Sequence, residues 1–292
     1  MSVIAPAKTT AAAPGWPALG QGAARLMGVL NVTPNSFSDG GLYDGTALAL
    51  ARGLEIEAQG ADILDVGGES TNPHNPQAEP ISGEDERARV LPVLAALVPR
   101  LRIPVSIDTY KAATARAALE HGASIVNDIW GLQGDPEMAA VTADFGAGLC
   151  AMHNRHAIEP DLDIIADIRA FFGRTLEIAA RAGIATNRIV LDPGIGFGKT
   201  LDQNLVVLDR LGELTDFGIP LLVGASRKRF IGAVTGRTVA SERLAGTLAA
   251  HVAAALKGAA VIRAHDIPEH KDALAVAAAI SRHTILPQGP AA

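Results

Sequence analysis

The segment Asp192–Thr200, with the sequence DPGIGFGKT, combines a carboxylate, several glycines and a lysine. Its spacing is close to two nucleotide-binding motifs but fits neither. A Walker A loop requires glycine where Pro193 stands, and a dinucleotide-binding fingerprint requires glycine where Lys199 stands. What remains is a carboxylate, Asp192, between an apolar run and a glycine loop, which is typical of a pocket residue. Lys199 and Thr200 are expected only to begin the next helix.

A polar side chain directly after a short apolar run recurs at eight places along the chain. Any one of these residues could be a helix N-cap. Eight of them are hard to explain in this way, and the C-terminal ends of the strands in a closed barrel converge on one face. The pattern therefore predicts a pocket. In chain order, the residues are Asn31, Asp65, Asp108, Asn127, His153, Asp192, Ser226 to Lys228, and Arg263 with His265.

Three of these side chains suit a planar, polar heterocycle. Asp108 and Asp192 offer carboxylate acceptors, and Asn127 offers both an acceptor and a donor. A few such groups in a pocket can pair with the N–H groups and ring nitrogens of a heterocyclic ligand.

Four other side chains suit a phosphate group and its metal ion. Lys228, Arg263 and His265 supply cationic or donor groups for phosphate oxygens. Asn31 supplies a neutral oxygen, which is a modest ligand for a hard cation such as Mg²⁺. Mg²⁺ keeps several waters and is often bound partly through substrate phosphates.

The elements that must position these residues alternate regularly. Short apolar runs predict strands at 26–30, 63–66, 105–107, 124–126, 148–152, 189–191, 221–223 and 260–262. Periodic, Ala-rich segments predict helices at 45–60, 84–100, 111–121, 136–146, 161–183, 201–213, 241–257 and 267–283. Glycines such as Gly60, Gly122 and Gly183 are placed to end helices. Eight β-then-α units predict an α/β fold, a single (β/α)8 TIM barrel with mobile loops at the C-terminal face of the strands.

Composition argues against several classes of protein. The 292 residues are 48% hydrophobic, which is enough to bury a large core. A net charge of −6 and an isoelectric point of about 5.7 argue against non-specific nucleic-acid binding. The basic cluster Ser226–Arg229 is interpreted as an anion pocket rather than an RNA site. No apolar stretch reaches the roughly 18 residues of a membrane span.

The single cysteine and the two ends of the chain complete the domain prediction. Cys150 excludes an intrachain disulfide framework, fits a reducing cytoplasm, and lies in an apolar run that favours a buried thiol. Residues 1–24 are predicted to be a flexible N-terminal extension. Residues 25–286 form the predicted barrel domain and 287–292 a flexible tail.

Ordered segments across the chain resemble the signature sequences of the dihydropteroate synthase family. Met27–Gly41 is similar to the first signature and Asp62–Thr71 to the second. The similarity covers about residues 25–283 and keeps the family's order, which argues against chance. The shorter segments are Ser106–Thr109, Val126–Asp128, Met152–His153, Leu191–Phe197, Ala225–Lys228 and Ile262–Asp266.

The resemblance implies a TIM-barrel enzyme of folate synthesis, in a family whose members are usually homodimers. The family's reaction condenses 6-hydroxymethyl-7,8-dihydropterin diphosphate with p-aminobenzoate and yields 7,8-dihydropteroate and pyrophosphate. It also implies Mg²⁺ as the cofactor and sulfonamides, which mimic p-aminobenzoate, as inhibitors. The implied mechanism is C–O cleavage before attack by the aryl amine, so that charge stabilisation and positioning dominate catalysis.

The resemblance also implies which residues bind each part of the substrates. The pterin would be held by Asp108, Asn127, Asp192 and Lys228. The diphosphate and its Mg²⁺ would be engaged by Asn31, Arg263 and His265, with Asn31 as the metal ligand. The p-aminobenzoate pocket would be shaped by Phe37, Thr71, Pro73 and Phe197, with Ser38 and Asp39 in a mobile loop over it. The implied catalytic set is Asn31, Asp108, Lys228, Arg263 and His265.

One loop departs from the family's pattern. Asn72 stands where the family typically has an arginine, and the segment 72–83 is longer than usual. Asparagine cannot reproduce a bidentate phosphate contact. Either His74 or Arg155 substitutes for the arginine, or turnover or the response to sulfonamides is altered, or the change is neutral drift in a loop.

Two alternative functions share the predicted fold. A pterin-binding methyltransferase domain has a related pterin site, but it does not need the phosphate-binding Ser-Arg-Lys and Arg-x-His sets that this chain contains. A non-catalytic or altered pterin-binding paralogue is the other alternative, because of the unusual loop.

Overall fold

A computed structural model describes residues 15–19, 23–33, 42–69 and 80–283 of the chain. These residues form a closed barrel of eight parallel strands that follow one another in chain order around the barrel. The predicted (β/α)8 fold is confirmed. Several residues of the predicted p-aminobenzoate site and of the unusual loop lie outside the described residues: Phe37, Ser38, Asp39, Thr71, Asn72, Pro73 and His74.

The strands are short and mostly buried on both faces, as expected where helices cover a parallel sheet. Each begins within two residues of its predicted position. They are β1 (Arg25–Asn31), β2 (Ile63–Gly67), β3 (Val105–Asp108), β4 (Ile125–Asp128), β5 (Gly148–Met152), β6 (Ile189–Asp192), β7 (Leu221–Val223) and β8 (Ala259–Ala264).

The described part of the chain contains nine α-helices, one more than the sequence predicted. The additional helix, α7, lies directly after Lys228 and precedes the predicted helix in the same crossover. The helices are α1 (Leu42–Ala58), α2 (Gly83–Leu97), α3 (Ala112–Glu120), α4 (Met138–Asp144), α5 (Ile164–Ala182), α6 (Leu201–Asp209), α7 (Arg229–Thr235), α8 (Leu244–Leu256) and α9 (Ile267–Arg282).

Local signals at the helix ends act as predicted. Gly60, Gly122 and Gly183 have φ angles of 99°, 94° and 83°, a left-handed conformation that glycine adopts without steric cost. Thr200 caps α6, because its side chain accepts a hydrogen bond from the backbone of Gln203 while the Gln203 side chain accepts one from the backbone of Thr200. The interpretation of Thr200 as a helix start is therefore confirmed.

Residues 15–19, which lie within the predicted flexible extension 1–24, make packing contacts with the barrel, whereas residues 1–14 and 20–22 lie outside the described residues. A separate apolar cluster fills the barrel interior with one residue from each of seven strands, and Trp16 and Leu19 pack against it. The indole N–H of Trp16 donates a 2.9 Å hydrogen bond to the carbonyl of Arg188, just before β6. Residues 15–19 therefore close the barrel beside the N-terminal ends of the strands, because the chain has apolar side chains available to cover that opening. The cluster is Met27, Ile63, Ile125, Cys150, Val190, Leu222 and Val261.

The substitution Trp16→Ala is expected to lower the free energy of unfolding by about 2 kcal/mol, because a half-buried ring and one hydrogen bond are lost. Turnover should be unchanged, because the active site of this fold lies at the opposite end of the strands. Urea unfolding measures the first effect. Leu48→Ala, at a position on α1 that is 51% exposed, is the control and should not change stability. Equal stability of the Trp16→Ala variant and the wild type would contradict this packing.

Cys150 belongs to the interior cluster and is fully buried. Burial raises the pKa of its thiol well above the usual value. These observations agree with the prediction of a structural rather than a reactive cysteine. Among the described residues, no helix is both long and apolar enough to cross a membrane.

Candidate active site

One cavity of about 370 Å³ opens among the C-terminal ends of the strands. Its walls come from β1, β3 and β8 and from the segments that follow β6 and β7. Closure of the barrel brings together predicted site residues that are as far apart in the chain as Asn31 and His265. The predicted residues that line the cavity are Asn31, Asp108, Phe197, Lys228, Arg263 and His265.

Arg263 on β8 forms hydrogen bonds with two buried carboxylates of the site. Its Nε donates to Asp65 Oδ2 at 2.7 Å, and its Nη2 donates to Asp108 Oδ2 at 2.8 Å. Asn127 Nδ2 also donates to Asp65 Oδ2, at 3.0 Å. Asp65 is fully buried and Asp108 is nearly so, so the guanidinium compensates two carboxylates away from water. Arg263 is thus partly engaged before any substrate arrives, which differs from its predicted role as a phosphate ligand alone.

Two acceptor atoms of this network have no protein partner. Asp65 Oδ1 and Asp108 Oδ1 are buried and receive no hydrogen bond from the described residues. Burial raises the pKa of Asp108 to about 7, and the charge of Asp65 adds to the rise while Arg263 opposes it. Buried acceptors without partners are costly, so they favour a ligand that brings its own donors.

Asp192 lies at the end of β6, where the sequence predicted a pocket carboxylate. Its Oδ1 accepts a hydrogen bond of 2.7 Å from the backbone N–H of Gly194. Burial raises its pKa to about 6, although this hydrogen bond and the charge of Lys228 lower it. At Gly194 a Cβ atom would lie 1.9 Å from the carbonyl oxygen of His153, so only glycine allows the turn after β6.

Lys228 links the two predicted halves of the site. Its Nζ lies 4.2 Å from the centroid of the Phe197 ring, a cation–π contact. Burial lowers the pKa of Lys228 to about 8, with a further decrease from Arg263 and an opposing contribution from Asp192. The ring predicted to contact the aryl substrate therefore packs on the ammonium predicted to contact the pterin.

His265 and Ser226 form the side of the cavity next to Arg263. The Ser226 hydroxyl lies 2.9 Å from Nδ1 of His265. Burial and the charge of Arg263 lower the pKa of His265 to about 4. The imidazole is therefore neutral at neutral pH and acts as a hydrogen-bond donor rather than as a cation. The sequence allowed both roles.

Lys199 corrects an expectation from the sequence. It does not merely begin α6: its Nζ is buried and donates to the carbonyls of Gly194 at 2.9 Å and Phe197 at 3.1 Å. It also contacts His153 Nδ1 at 2.8 Å, and Nε2 of that ring lies 2.9 Å from Asp167 Oδ2. Lys199 thus fastens the glycine loop to the segment after β5.

Arg155 is not available to replace the arginine missing from the second loop. Its Nη1 donates to Asp167 Oδ2 at 2.6 Å, and its Nη2 pairs with Glu159. These carboxylates raise the pKa of Arg155 and hold its guanidinium beside α5. These partners argue against Arg155 as the substitute for the arginine that Asn72 replaces.

The sequence did not assign roles to Asp65, Lys199 or Ser226, although all three shape the site. For Asp65 and Ser226 a signal existed, because each follows or ends an apolar strand run and was included among the strand-end residues. For Lys199 no local signal exists. Its contacts depend on the fold of the glycine loop and on His153, which is 46 positions away in the chain.

The fold and the site together define a class of enzyme. A sequence model of the family described as "Pterin binding enzyme" matches residues 27–265, a range that includes the C-terminal ends of all eight strands. The chain is therefore a pterin-binding enzyme built on a TIM barrel.

Comparison with individual proteins narrows this class. The chain is 43% identical over 244 residues to the dihydropteroate synthase of Bacillus subtilis, with 84% of each chain covered. The crystal structure of the Clostridium difficile dihydropteroate synthase in the presence of pteroic acid has a TM-score of 0.85 and 44% identity, covering 89% of this chain and 97% of that one. The Xanthomonas albilineans dihydropteroate synthase with 4-aminobenzoic acid has a TM-score of 0.84 and 40% identity, covering 89% and 93%. The chain belongs to the dihydropteroate synthase family, a family of transferases, as the sequence resemblance implied.

Proposed function

We propose that the chain joins 6-hydroxymethyl-7,8-dihydropterin diphosphate to p-aminobenzoate, with release of pyrophosphate and formation of 7,8-dihydropteroate. The observation that supports this most directly is the pair of orphaned carboxylate oxygens of Asp65 and Asp108 beside the cationic groups of Lys228 and Arg263. A ligand that carries N–H donors at one end and phosphate at the other satisfies both parts of this cavity.

In this proposal the pterin is bound by Asp108, Asn127, Asp192 and Lys228. Asp108 and Asp192 accept hydrogen bonds from the amino and ring N–H groups, which strengthens both bonds because the acceptors are charged. When the C–O bond breaks, positive charge develops at the exocyclic carbon. Electron donation from the dihydropterin ring stabilises this charge. The buried carboxylates stabilise this charge in a site with little water.

The leaving pyrophosphate is held at the other side of the cavity. Among the described residues, no carboxylate accepts a hydrogen bond from Nη1 of Arg263, so this group can donate to the pyrophosphate. Neutral His265 can donate a ring N–H as well. Both groups are fixed before the reaction, Arg263 by Asp65 and Asp108 and His265 by Ser226. Their positions therefore need no reorganisation as negative charge builds up on the departing oxygen.

Mg²⁺ is part of the proposal, with Asn31 as its protein ligand. The described residues contain no group of three His, Cys, Asp or Glu side chains that could hold a metal ion. Asn31 lies exposed at the end of β1 and lines the cavity with Asp108, which fits an ion bound mainly through substrate phosphate and water. When bound, Mg²⁺ supplies charge neutralisation to the leaving group.

The aryl amine is expected to enter on the side of Phe197, which lies half-buried in the cavity wall. A neutral aryl amine is itself nucleophilic, and the proton that it loses after the C–N bond forms passes to the departing pyrophosphate or to water, so the reaction requires no dedicated base. The predicted contacts of Phe37, Ser38, Asp39, Thr71 and Pro73 with p-aminobenzoate remain part of the proposal.

Pyrophosphate release from the pterin diphosphate, measured with and without p-aminobenzoate, tests the proposed function. Release coupled to formation of dihydropteroate is the expected result. Binding of the pterin diphosphate without any turnover would instead support a non-catalytic paralogue. Methyl transfer from methyltetrahydrofolate to a corrinoid, with no condensation, would support the methyltransferase alternative.

Three further features follow from the same proposal. Sulfonamides should compete with p-aminobenzoate, because they mimic its shape and charge.

Association as a homodimer is supported by exposed apolar side chains on α7, α8 and α9. These are Val234, Leu256, Val276 and Ile280. Light scattering can test whether the protein is a dimer. A cytoplasmic location is supported by the single cysteine and can be tested by fractionation.

Pterin binding is expected to weaken as the pH falls below about 7. The pKa of free Asp108 is raised to about 7 and that of Asp192 to about 6, whereas N–H donors require both groups ionised. The bound state therefore holds fewer protons than the free state, so affinity rises with pH through this window and levels off above it. Calorimetry with 6-hydroxymethyl-7,8-dihydropterin in two buffers of different ionisation enthalpy should show proton release at pH 6.5. Proton uptake would contradict the assignment.

A further inference from the structure

Two buried histidines, His251 on α8 and His270 on α9, form a hydrogen-bonded chain behind the phosphate side of the cavity. Both side chains are fully buried, and neither lines the cavity. The chain starts at the backbone N–H of Ala225, which precedes the segment Ser226–Lys228 after β7. It ends at the backbone carbonyl of Asp266, which follows His265 after β8.

The direction of every hydrogen bond in this chain is fixed by its two ends. The N–H of Ala225 donates to Nε2 of His251 at 2.8 Å, so this nitrogen carries no proton. In the neutral ring Nδ1 is then the donor, and it reaches Nε2 of His270 at 2.8 Å. His270 must in turn donate from Nδ1, and its partner is the carbonyl of Asp266 at 2.5 Å.

Both imidazoles are held in the neutral state that this arrangement requires. Burial lowers the pKa of His251 well below its usual value, and the neighbouring ring of His270 lowers it further. Burial also lowers the pKa of His270, although the charges of Asp266 and Glu269 oppose the shift. A proton added to Nε2 of His251 would face the N–H of Ala225, so the chain can form only between neutral rings.

Two other contacts involve these loops, one with α8 and one between the loops themselves. The backbone N–H of Arg227 donates to Thr247 Oγ1 at 3.0 Å, and Thr247 lies one helical turn before His251 on α8. Arg227 has a φ of 59°, and its Nε donates to Asp266 Oδ2 at 3.2 Å. Thr247 and His251, on one face of α8, thus accept hydrogen bonds from the backbone N–H groups of Arg227 and Ala225. Helix α9 joins this arrangement through the hydrogen bond between His251 and His270.

We propose that His251 and His270 are positioning residues that hold the loops after β7 and β8 in register. Their effect is that Lys228, which binds the pterin in the proposed function, and His265, which binds the diphosphate, face the same substrate molecule. This role rests on the proposed function, because it is defined by the substrate that these two side chains would bind. Neither histidine touches the substrate.

The tautomers of the two rings test the geometry directly in the unmodified protein. Long-range ¹⁵N–¹H spectra of protein labelled in its histidines should show Nδ1 protonated and Nε2 unprotonated for both His251 and His270 at neutral pH. Neutral histidine in water favours the opposite tautomer, so two such rings are a distinctive signature. Protonation of Nε2 on His251 would overturn the proposal, and this result does not depend on catalytic activity.

Substitutions at His251 test its consequence for the site. His251→Leu keeps the bulk of the ring but cannot accept from Ala225, so KM for the pterin diphosphate and the Kd of pyrophosphate are each expected to rise about tenfold. KM for p-aminobenzoate should stay within about twofold of the wild-type value, because the loop that carries Phe197 is held by Lys199 and not by His251. His251→Gln has an acceptor oxygen and a donor amide, and it should restore both values to within about threefold of wild type.

A matched control and a second readout keep the outcomes distinct. His121 also bonds a backbone carbonyl through Nδ1, at 2.8 Å, but it is exposed at the end of α3, so His121→Leu should change none of these values. An equal rise of both KM values in His251→Leu, with no rescue by glutamine, would reduce the histidine to a packing role and overturn the proposal. If the wild type makes no dihydropteroate, the proposed function fails, whereas the tautomers and the pyrophosphate Kd still test the positioning.

Discussion

Replacing Asp192 with alanine is expected to reduce pterin affinity by at least about a hundredfold, since the loss of a charge-assisted hydrogen bond and the burial of an unpartnered pterin N–H together cost about 3 kcal/mol. The carboxylate is buried at the end of β6, and its pKa of about 6 leaves it ionised at neutral pH. Isothermal titration calorimetry with the free pterin measures the effect. An unchanged Kd would remove Asp192 from the pterin site.

Two further variants separate binding from loop structure. Asp192→Asn keeps an oxygen for the N–H of Gly194 but can present a donor to the pterin, so affinity should fall while the melting temperature stays close to wild type. Asp128 is a buried strand-end carboxylate of a different kind, because it accepts from the backbone of Trp130 at 2.9 Å and Leu132 at 2.7 Å. Asp128→Asn should therefore leave the Kd of the pterin unchanged.

Replacing Arg263 with methionine is expected to abolish measurable turnover and to lower the free energy of unfolding by about 3 kcal/mol. The reason is that Asp65 and Asp108 would remain buried without their shared cation. Chemical denaturation and the pyrophosphate assay measure the two effects separately. A variant with wild-type stability would show that the guanidinium does not compensate these carboxylates.

The double variant Arg263→Met with Asp65→Asn tests the cause of the instability. Removing one of the two carboxylates should recover much of the lost stability, whereas turnover should not return because the phosphate contact is still missing. Arg116→Met is the matched control, since Arg116 forms a 3.2 Å ion pair with Asp144 on the surface. It should alter neither property, because exposed pairs contribute little.

The positions of the site residues along the chain could be predicted because each follows a recognisable apolar strand. Asp108 and Asp192 end β3 and β6, and Arg263 lies within β8, close to where the sequence placed them. Once eight strands close into a barrel, these ends must lie on one face. A cavity lies at this face, as the sequence predicted, and Asp108 and Arg263 line it, whereas Asp192 is buried at the end of β6 and is not among its lining residues.

The partners of these residues could not be predicted, because side chains meet across the barrel. Asp65 and Arg263 are 198 positions apart and belong to strands separated by β1. Nothing in the sequence near either residue indicates that one guanidinium serves two carboxylates. The same holds for Lys199, whose position before α6 suggested a helix start and whose amine instead holds the glycine loop.

The contacts of residues 15–19 could not be predicted for a related reason. Residues 15–19 have no periodic pattern, and their composition is typical of a loose end. Their order comes from the open end of the barrel, which offers an apolar surface to Trp16 and Leu19. A sequence shows the apolar side chains but not the opening that they cover.

The sequence by itself determined the barrel, the order of its strands and the polar residue at the end of each, because these depend on local hydrophobic periodicity and on spacing. The tertiary structure decided which of those residues interact and in which protonation state. Hydrogen-bond partners, burial and the resulting pKa shifts of Asp108, Lys228 and His265 arise only when distant strands and loops enclose the same low-dielectric space. The two-histidine chain behind the phosphate side is of this kind, since its tautomers are fixed by a backbone amide and a carbonyl from two different loops.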